Sequence, residues 1–219
     1  MDAKSDDAII TEALSDLDRF MLDLAEDGAI TIDLEKGFST VGNREGRKPP
    51  TPMYFNFRPE GVAGGQMKPI DFDDIAGFFC EKLQKSNIEF DVIAAVPLAG
   101  EPIAQALAKK TGKDVITFDK DTGEMNPYPL RAGTRVLLVD DVISDGKSKG
   151  RFIRLLQNRG CRVIVLVIVD RGQGGAEFCS GFGVVLHSLM HARRFLALLY
   201  GSGRITQDDK HVIARRMWG

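Results

Sequence analysis

Two adjacent aspartates, Asp140 and Asp141, directly follow the apolar run 136–139. A turn containing Gly146 and Ser148 comes next and opens a predicted helix. Neighbouring carboxylates at a strand end suit vicinal hydroxyl groups or a divalent metal, and free N–H groups at a helix start suit a phosphate. A pair of aspartates alone is also typical of a turn or a helix cap, but the whole run of strand, acids, turn and helix favours a binding site.

Three other strand ends carry polar or glycine-rich segments. They read VPLAGE over 96–101, FDKDTG over 118–123 and VDRGQGG over 169–175. In a doubly wound sheet, ligands bind outside the carboxyl ends of the strands. These segments and the aspartate pair are therefore the candidates for a ligand site.

The elements that must position these segments alternate between apolar strands and helices. The predicted strands are FDVIAAVP, DVITF, RVLLVDD and RVIVLVIVD. Helices are predicted from Asp71, over 101–111 and over 147–159. Continuous Val/Ile/Leu strands alternating with helices are typical of a parallel sheet covered on both faces, so the fold class is α/β.

The two ends of the chain carry further elements. An amphipathic helix is predicted over 6–28, and MYFNF is an aromatic strand candidate. The tail predicts a short strand near 184–187, a helix over 189–199 and a last helix after Thr206, where Asp209 three residues later makes a capping box.

The composition excludes several classes of protein. The 219 residues are 43% hydrophobic and 27% charged, so the chain is neither disordered nor collagen-like, and one domain is expected. A net charge of -2 argues against nucleic-acid and membrane-surface partners. The cysteines form no CxxC pair and are expected to be buried thiols: Cys80, Cys161 and Cys179. The acidic N-terminus and the short longest apolar run, 163–169, predict a cytoplasmic protein.

The segment VLLVDDVISDGKS resembles the phosphoribosyl-pyrophosphate (PRPP) motif of the type I phosphoribosyltransferases. Other segments resemble the orotate phosphoribosyltransferase branch: VPLAGEPIAQALA, GRKPPTPMYFNFR, DRGQGG and VVLHSLM. The likeness extends from about residue 38 to the C-terminal helices. It implies the type I phosphoribosyltransferase fold, with 1–70 as an N-terminal helix and hood segment and 71–219 as the PRPP-binding core and C-terminal helices of a single domain over 1–219.

The resemblance also implies roles for the matched residues. Asp140 and Asp141 would hold the ribose hydroxyls near Mg²⁺, contacting the metal through substrate or water, and would stabilise a cationic transition state. Both are expected to face solvent, so replacing both by asparagine should abolish transfer and leave the fold intact. The residues expected to bind PRPP are Leu98, Ala99, Gly100, Asp140, Asp141, Val142, Ile143, Ser144, Asp145, Gly146, Lys147 and Ser148. Those expected at the base are Arg44, Tyr54, Phe55, Ser144 and Arg171, the last pairing with the orotate carboxylate.

The loop after the second predicted strand departs from the family pattern. The branch carries RKxxKxHG there, a basic set that closes over pyrophosphate across a dimer, whereas this chain reads DKDTGEMNPYPL. Lys120 matches one lysine and is expected to act in catalysis. The other basic positions are occupied by Asp119, Gly123 and Met125.

Two more acids stand near the expected phosphate sites. Asp145 lies in the 5′-phosphate loop, where it repels phosphate unless it turns outward or Lys147 offsets its charge. Glu101 directly follows the expected pyrophosphate loop.

The resemblance implies a homodimeric enzyme of orotate phosphoribosyltransferase type in pyrimidine nucleotide biosynthesis. It would join PRPP to orotate with Mg²⁺, giving orotidine 5′-monophosphate and pyrophosphate. The altered loop keeps two alternatives open: a non-catalytic homologue that binds PRPP or a nucleotide for regulation, and a phosphoribosyltransferase for another base.

Overall fold

The computed structural model describes residues 14–39, 50–126 and 128–219. The chain divides into two compact units. The core unit is Met67–Met190, and the terminal unit combines the residues up to Gln66 with His191–Gly219. The C-terminal helices therefore belong to the same unit as the N-terminal segment, whereas the sequence-based division placed them with the PRPP-binding core.

The core unit is built on a five-stranded sheet with the strand order β4-β3-β5-β6-β7. The strands are β3 (Val92–Ala95), β4 (Val115–Ile116), β5 (Arg135–Ile143), β6 (Arg162–Asp170) and β7 (Val185–His191). Strand β3 pairs in parallel with β4 and β5, and β5 pairs in parallel with β6. The flanking helices are α2 (Pro69–Lys85), α3 (Gly100–Thr111), α4 (Lys147–Gln157) and α5 (Gly175–Ser180). The predicted α/β class with a parallel sheet flanked by helices is confirmed.

The alternation of side chains along β5 places successive residues on opposite faces of the sheet. Val136 and Leu138 pack in one buried cluster with Phe152, Ile153 and Leu156 of α4. Asp140 has the same parity as Val136 and Leu138, so it points toward the α4 side. Asp141 has the opposite parity and lies on the other face.

Several predicted boundaries were wrong by a few residues. Strand β5 continues past the aspartates to Ile143, which pairs with Asp170 of β6, because the apolar residues after the acids extend the ladder. Strand β7 is longer than predicted, and the next helix begins at Ala192, where the side chain of His191 accepts a hydrogen bond from the Arg193 N–H.

The terminal unit contains helices α1 (Asp16–Glu26), α6 (Ala192–Gly201) and α7 (Gln207–Trp218), together with an antiparallel pair, β1 (Ile30–Ile32) and β2 (Met53–Phe55). Ser15 and Asp18 form a capping box at the start of α1. Thr206 and Asp209 form the predicted capping box at the start of α7.

An ion pair between a buried carboxylate and a half-exposed arginine joins α1 to α6 in the terminal unit. The Arg194 guanidinium donates to both carboxylate oxygens of Asp18 at 2.7 to 2.9 Å. Burial opposes ionisation of Asp18, but hydrogen bonds from Arg194 and Ser15 outweigh it and hold the pKa of Asp18 below its usual value. The ionised carboxylate therefore stabilises the fold.

Replacing Asp18 by asparagine is expected to lower the free energy of unfolding by about 1–3 kcal/mol at pH 7. The effect stays in this range because the Arg194 side chain is half exposed, so water can solvate the guanidinium once the carboxylate charge is removed. A group with a lowered folded-state pKa stabilises above the ordinary aspartate pKa of about 3.9 and loses that contribution as the pH falls. The difference between wild type and Asp18→Asn should thus shrink between pH 7 and pH 3 in urea denaturation. Asp16→Asn, which removes an exposed pair with Arg19, is the matched control. Equal effects of the two variants would contradict the assignment.

The remaining expectations concern the cysteines and membrane segments. Cys161 and Cys179 are buried, Cys80 is half-buried, and all three are free thiols. Among the described residues, no helix is both long and apolar enough to cross a membrane.

Candidate active site

Three of the four predicted segments come together at the carboxyl ends of the strands of the core-unit sheet, where they contact one another directly. The Val96 N–H donates to the Val139 carbonyl at 2.9 Å, which places the segment after β3 beside the aspartates of β5. The Arg171 N–H donates to the Ile143 carbonyl at 2.9 Å, which places the segment after β6 on the other side of β5. The register of adjacent parallel strands therefore brings these segments together.

The aspartate pair is asymmetric, and a lysine causes the asymmetry. Asp140 is only 4% exposed, and its Oδ2 lies 2.5 Å from Nζ of Lys149 on α4. The expectation that both acids face solvent is therefore wrong for Asp140. Asp141 is half-buried, and its Oδ1 accepts a hydrogen bond from the Val142 N–H at 2.6 Å.

Lys149 is not among the site residues predicted from the sequence, although its spacing in the sequence indicates a buried position. Lys149 stands three, four and seven residues before Phe152, Ile153 and Leu156, which is the spacing of a single helix face. Those three residues are fully buried or nearly so, and Lys149 is buried with them. A lysine on the apolar face of a helix indicates a buried partner that can accept its hydrogen bonds, typically an acid.

The charges of this cluster influence one another strongly. Burial and the neighbouring negative charge of Asp140 raise the pKa of Asp141, and Lys149 offsets only part of that rise. Burial disfavours the charged form of Lys149, but the two aspartates outweigh it and raise the pKa of its ammonium group. Lys149 therefore remains a cation at neutral pH.

Residues 144–148, called the phosphate loop after their predicted role, follow β5 and include the first two residues of α4. Gly146 has a φ of 76°, and a Cβ at this position would lie 2.6 Å from the Phe178 ring, so the loop requires glycine there. Ser148 is exposed and Ser144 is half-buried. Asp145 is turned toward Lys147, whose N–H donates to its Oδ1 at 3.2 Å and whose Nζ lies 4.0 Å from its Oδ2. Lys147 therefore lies within ion-pair distance of Asp145.

Residues Leu98–Gly100, called the pyrophosphate loop after their predicted role, combine backbone strain with close packing. Leu98 is half exposed and has a φ of 71°, a conformation that is unfavourable for a residue with a side chain and that occurs preferentially at functional sites. Gly100 packs directly against the backbone of β5. Glu101 lies in the first turn of α3, where the helix dipole favours an acid.

Arg171, predicted to contact the base, directly follows β6. It is only 7% exposed, and this burial lowers the pKa of its guanidinium to about 10. The side chain therefore carries a positive charge at neutral pH in an environment with little water, which strengthens its attraction for an anion. Its neighbour Asp170 accepts a hydrogen bond from the Gly172 N–H at 2.8 Å and so caps the turn.

The loop that contains Lys120 folds into a short turn between Phe118 and Met125, which form an isolated antiparallel bridge. The Asp119 carboxylate accepts hydrogen bonds from the N–H groups of Asp121 and Thr122, at 3.0 and 2.7 Å. These bonds, with that of Thr122 first, lower the pKa of Asp119. The aspartate that replaces the family's arginine therefore organises the turn.

Lys120 itself is exposed at this turn. Its backbone carbonyl accepts a hydrogen bond from Arg151 of α4 at 3.0 Å. Because α4 begins at the phosphate loop, Arg151 connects the turn to the element that carries that loop. The described contacts join the backbone of Lys120, and not its ammonium group, to the site.

The predicted base-contacting residues other than Ser144 and Arg171 lie in the terminal unit or outside the described residues. Phe55 is 5% exposed and packs against Phe57 and Phe195 with ring centroids 6.1 Å apart, so its ring belongs to the core of that unit. The expectation that Phe55 stacks on a base is therefore not supported. Tyr54, on the opposite face of β2, stacks on Phe38 and is half-buried. Arg44 lies outside the described residues.

The site's fit to Mg²⁺ depends on the donors that remain available. Among residues 14–39, 50–126 and 128–219, no group of three or more His, Cys, Asp or Glu side chains could hold a metal. Because Asp140 is paired with Lys149, only the Asp141 carboxylate of the acid pair is available to a metal. One carboxylate together with substrate oxygens is a usual environment for Mg²⁺. The residues fit a magnesium ion that arrives with a polyphosphate.

Comparisons with known proteins agree with this arrangement. The family model described as phosphoribosyl transferase domain matches residues 68–178. The orotate phosphoribosyltransferase of Sulfurisphaera tokodaii is 33% identical over 148 residues, which cover 65% of this chain and 74% of that protein.

Two solved structures resemble this chain at the level of the fold. UMP synthase of Leishmania donovani matches with a TM-score of 0.75 and 21% identity, over 93% of this chain and 42% of that chain. Orotate phosphoribosyltransferase of Aeropyrum pernix matches with a TM-score of 0.66 and 23% identity, over 82% of this chain and 98% of that chain.

Proposed function

The chain belongs to the phosphoribosyltransferase domain family, in its orotate phosphoribosyltransferase branch, and we propose that it transfers the phosphoribosyl group of PRPP to orotate. The products would be orotidine 5′-monophosphate and pyrophosphate. The observation that carries this function is the junction of an acid pair with a glycine-dependent phosphate loop at the carboxyl edge of β5, in a chain with an orotate phosphoribosyltransferase as a relative.

The chemistry requires stabilisation of positive charge on the ribose. The bond between the anomeric carbon and pyrophosphate loosens first, and a ring nitrogen of the base then attacks that carbon. Asp141, the acid of the pair that Lys149 does not bind, would face the developing cation and the ribose hydroxyls. No covalent enzyme intermediate is needed.

The two phosphate-bearing ends of PRPP would bind on either side of Asp141. The phosphate loop would hold the 5′-phosphate through its N–H groups and the Ser148 hydroxyl. The pyrophosphate loop would present the backbone around Leu98. Mg²⁺, when bound, would neutralise part of the pyrophosphate charge.

An assay of the purified protein with orotate, PRPP and Mg²⁺ tests the proposal. We expect conversion of orotate to orotidine 5′-monophosphate that depends on PRPP. Binding of PRPP in calorimetry without turnover would instead identify a regulatory homologue, and turnover with another base but not orotate would identify a different acceptor. If the folded protein neither binds PRPP nor shows turnover, the assignment of this site to phosphoribosyl transfer would be wrong.

Arg171 provides a test of base recognition. We expect Arg171→Gln to raise the KM for orotate roughly 10- to 100-fold, because a charge-assisted hydrogen bond to the orotate carboxylate contributes about 1.5–3 kcal/mol. The KM for PRPP should change much less, as measured by steady-state kinetics. Arg159→Gln, at an exposed arginine after α4, is the matched control. An equal rise in both KM values would exclude a specific contact between Arg171 and the base.

The assembly and location of the protein remain predictions. The resemblance predicts a homodimer, which light scattering coupled to size-exclusion chromatography would test. The composition and charge predict a cytoplasmic protein without nucleic-acid or membrane partners.

A further inference from the structure

Lys149 is a buried cation at a position where a cation is unfavourable. It lies in the first turn of α4, where the helix dipole opposes positive charge, and it is only 5% exposed. Removing an ammonium group from water is costly unless all of its protons find acceptors. The position therefore requires specific partners.

The structure provides three partners for the Lys149 ammonium group. Its Nζ lies 2.5 Å from Asp140 Oδ2, donates to the Val142 carbonyl at 2.7 Å and approaches the Ser148 hydroxyl at 3.3 Å. Asp140 and Val142 belong to β5, and Ser148 belongs to α4. One side chain thus joins the two elements that flank the phosphate loop.

The same contact determines how the acid pair is presented. Asp140 uses Oδ2 for Lys149, and its Oδ1 accepts the Asp141 N–H at 2.9 Å. Both oxygens of Asp140 therefore have partners inside the protein. The hydrogen bond from the Asp141 N–H to Asp140 Oδ1 also fixes the backbone of Asp141. Asp141 lies on the opposite face of β5 and is half-buried.

We propose that Lys149 is a positioning residue for PRPP: it neutralises Asp140, so that the acid pair presents one negative charge and not two. The inference rests on the proposed function for its ligand. Neutralisation of Asp140 matters because PRPP is a polyphosphate, and a second unpaired carboxylate would repel it. This repulsion is less compensated here because Asp119, Gly123 and Met125 stand at three positions where the resembled family carries basic residues.

The neighbouring Asp145 supports the same principle. It lies in the phosphate loop and has Lys147 as a partner, at 4.0 Å between Nζ and Oδ2. Two acids close to the expected phosphates thus each have a lysine within ion-pair distance.

The first test is Lys149→Met, which keeps an unbranched side chain and removes the charge. We expect the Kd for PRPP with Mg²⁺, measured by calorimetry, to rise at least tenfold, with a matching rise in the KM for PRPP and little change in the KM for orotate. Lys109→Met, at an exposed lysine of α3, is the matched control and should bind PRPP like wild type. A folded Lys149→Met protein with wild-type PRPP affinity would overturn the proposal.

A second variant separates charge balance from a purely structural role and also covers the case in which Lys149→Met does not fold. The double variant Asp140→Asn with Lys149→Met removes both charges, and the amide oxygen can still accept the Asp141 N–H. We expect its PRPP affinity to return to within about threefold of wild type. A loss that persists in the double variant, or a double variant that does not fold, would contradict charge neutralisation as the role of Lys149.

These measurements also distinguish the inference from the proposed function. If wild type binds PRPP without transferring it to orotate, and Lys149→Met loses that binding, the inference holds and the proposed function fails. If wild type transfers and Lys149→Met binds PRPP normally, the inference fails and the proposed function holds.

Discussion

Replacing Asp141 by asparagine is expected to lower kcat for phosphoribosyl transfer by about 100- to 1000-fold. The amide keeps the shape of the side chain and its hydrogen-bonding oxygen, but it removes the negative charge that faces the developing cation. Preorganised electrostatic groups of this kind typically contribute roughly 3–4 kcal/mol to the transition state. Since the charge matters most in the transition state, the KM for PRPP should change much less than kcat. Steady-state kinetics with both substrates varied measures the two effects.

The control for this prediction is Asp74→Asn, the same substitution at an exposed aspartate of α2. Its kinetics should match those of wild type. If Asp141→Asn retained more than about a tenth of wild-type kcat, the assignment of the transition-state charge to Asp141 would be wrong.

The single substitution is preferable to the double asparagine variant that the sequence suggests. Because Asp140 binds Lys149 inside the protein, Asp140→Asn leaves a buried ammonium group without its counter-ion. Such a change destabilises folded proteins strongly. We therefore expect the double variant to lose stability as well as activity, contrary to the prediction from the sequence.

The second large effect is expected for Gly100→Ala. A Cβ on Gly100 would lie 2.4 Å from the Val139 carbonyl oxygen and 3.3 Å from the Asp140 Cα, so the backbone of α3 or β5 must move. Overpacking of this kind typically costs about 1–3 kcal/mol of stability. Because Leu98 and Asp141 lie on the two segments that would be displaced, we expect kcat/KM for PRPP to fall roughly 100-fold. Thermal unfolding and steady-state kinetics measure the two consequences.

Gly77→Ala provides the matched control for Gly100→Ala. Gly77 lies inside α2, and a Cβ there would meet no atom within 4 Å. This substitution should leave activity unchanged and raise stability by roughly 0.5–1 kcal/mol, as expected for alanine in a helix interior. Wild-type activity in folded Gly100→Ala would show that the close approach of α3 to β5 does not position the site.

The sequence pattern predicts the strand that carries the two aspartates but does not predict which of them is buried. The apolar run before Asp140 predicted a buried strand, and the strand is present. Which acid faces inward depends on the parity of the strand and on the helix that covers each face. That information comes from the pairing of β5 with its neighbours and from the packing of α4, and it is not contained in the aspartate pair itself.

Phe55 and Asp119 illustrate two other limits. The aromatic residues after 52 predicted a strand, but only the fold shows that Phe55 packs against Phe195, 140 positions later by residue number. The sequence pattern shows Asp119 only as a replacement for a basic group, whereas its hydrogen bonds show that it organises a turn. In both cases a residue's neighbours in space decide its role.

The sequence by itself determined the α/β class, the alternation of strands and helices, the capping box at Thr206 and the family, because these depend on local periodicity and on short contiguous motifs. Only the tertiary structure decided that Lys149 pairs with Asp140, that Asp18 pairs with Arg194 and that Gly100 contacts the backbone of β5. These contacts join different secondary-structure elements, and their existence depends on register, face and burial. The charge that the site presents to a ligand follows from such pairings, and so it could not be obtained by counting acids and bases along the chain.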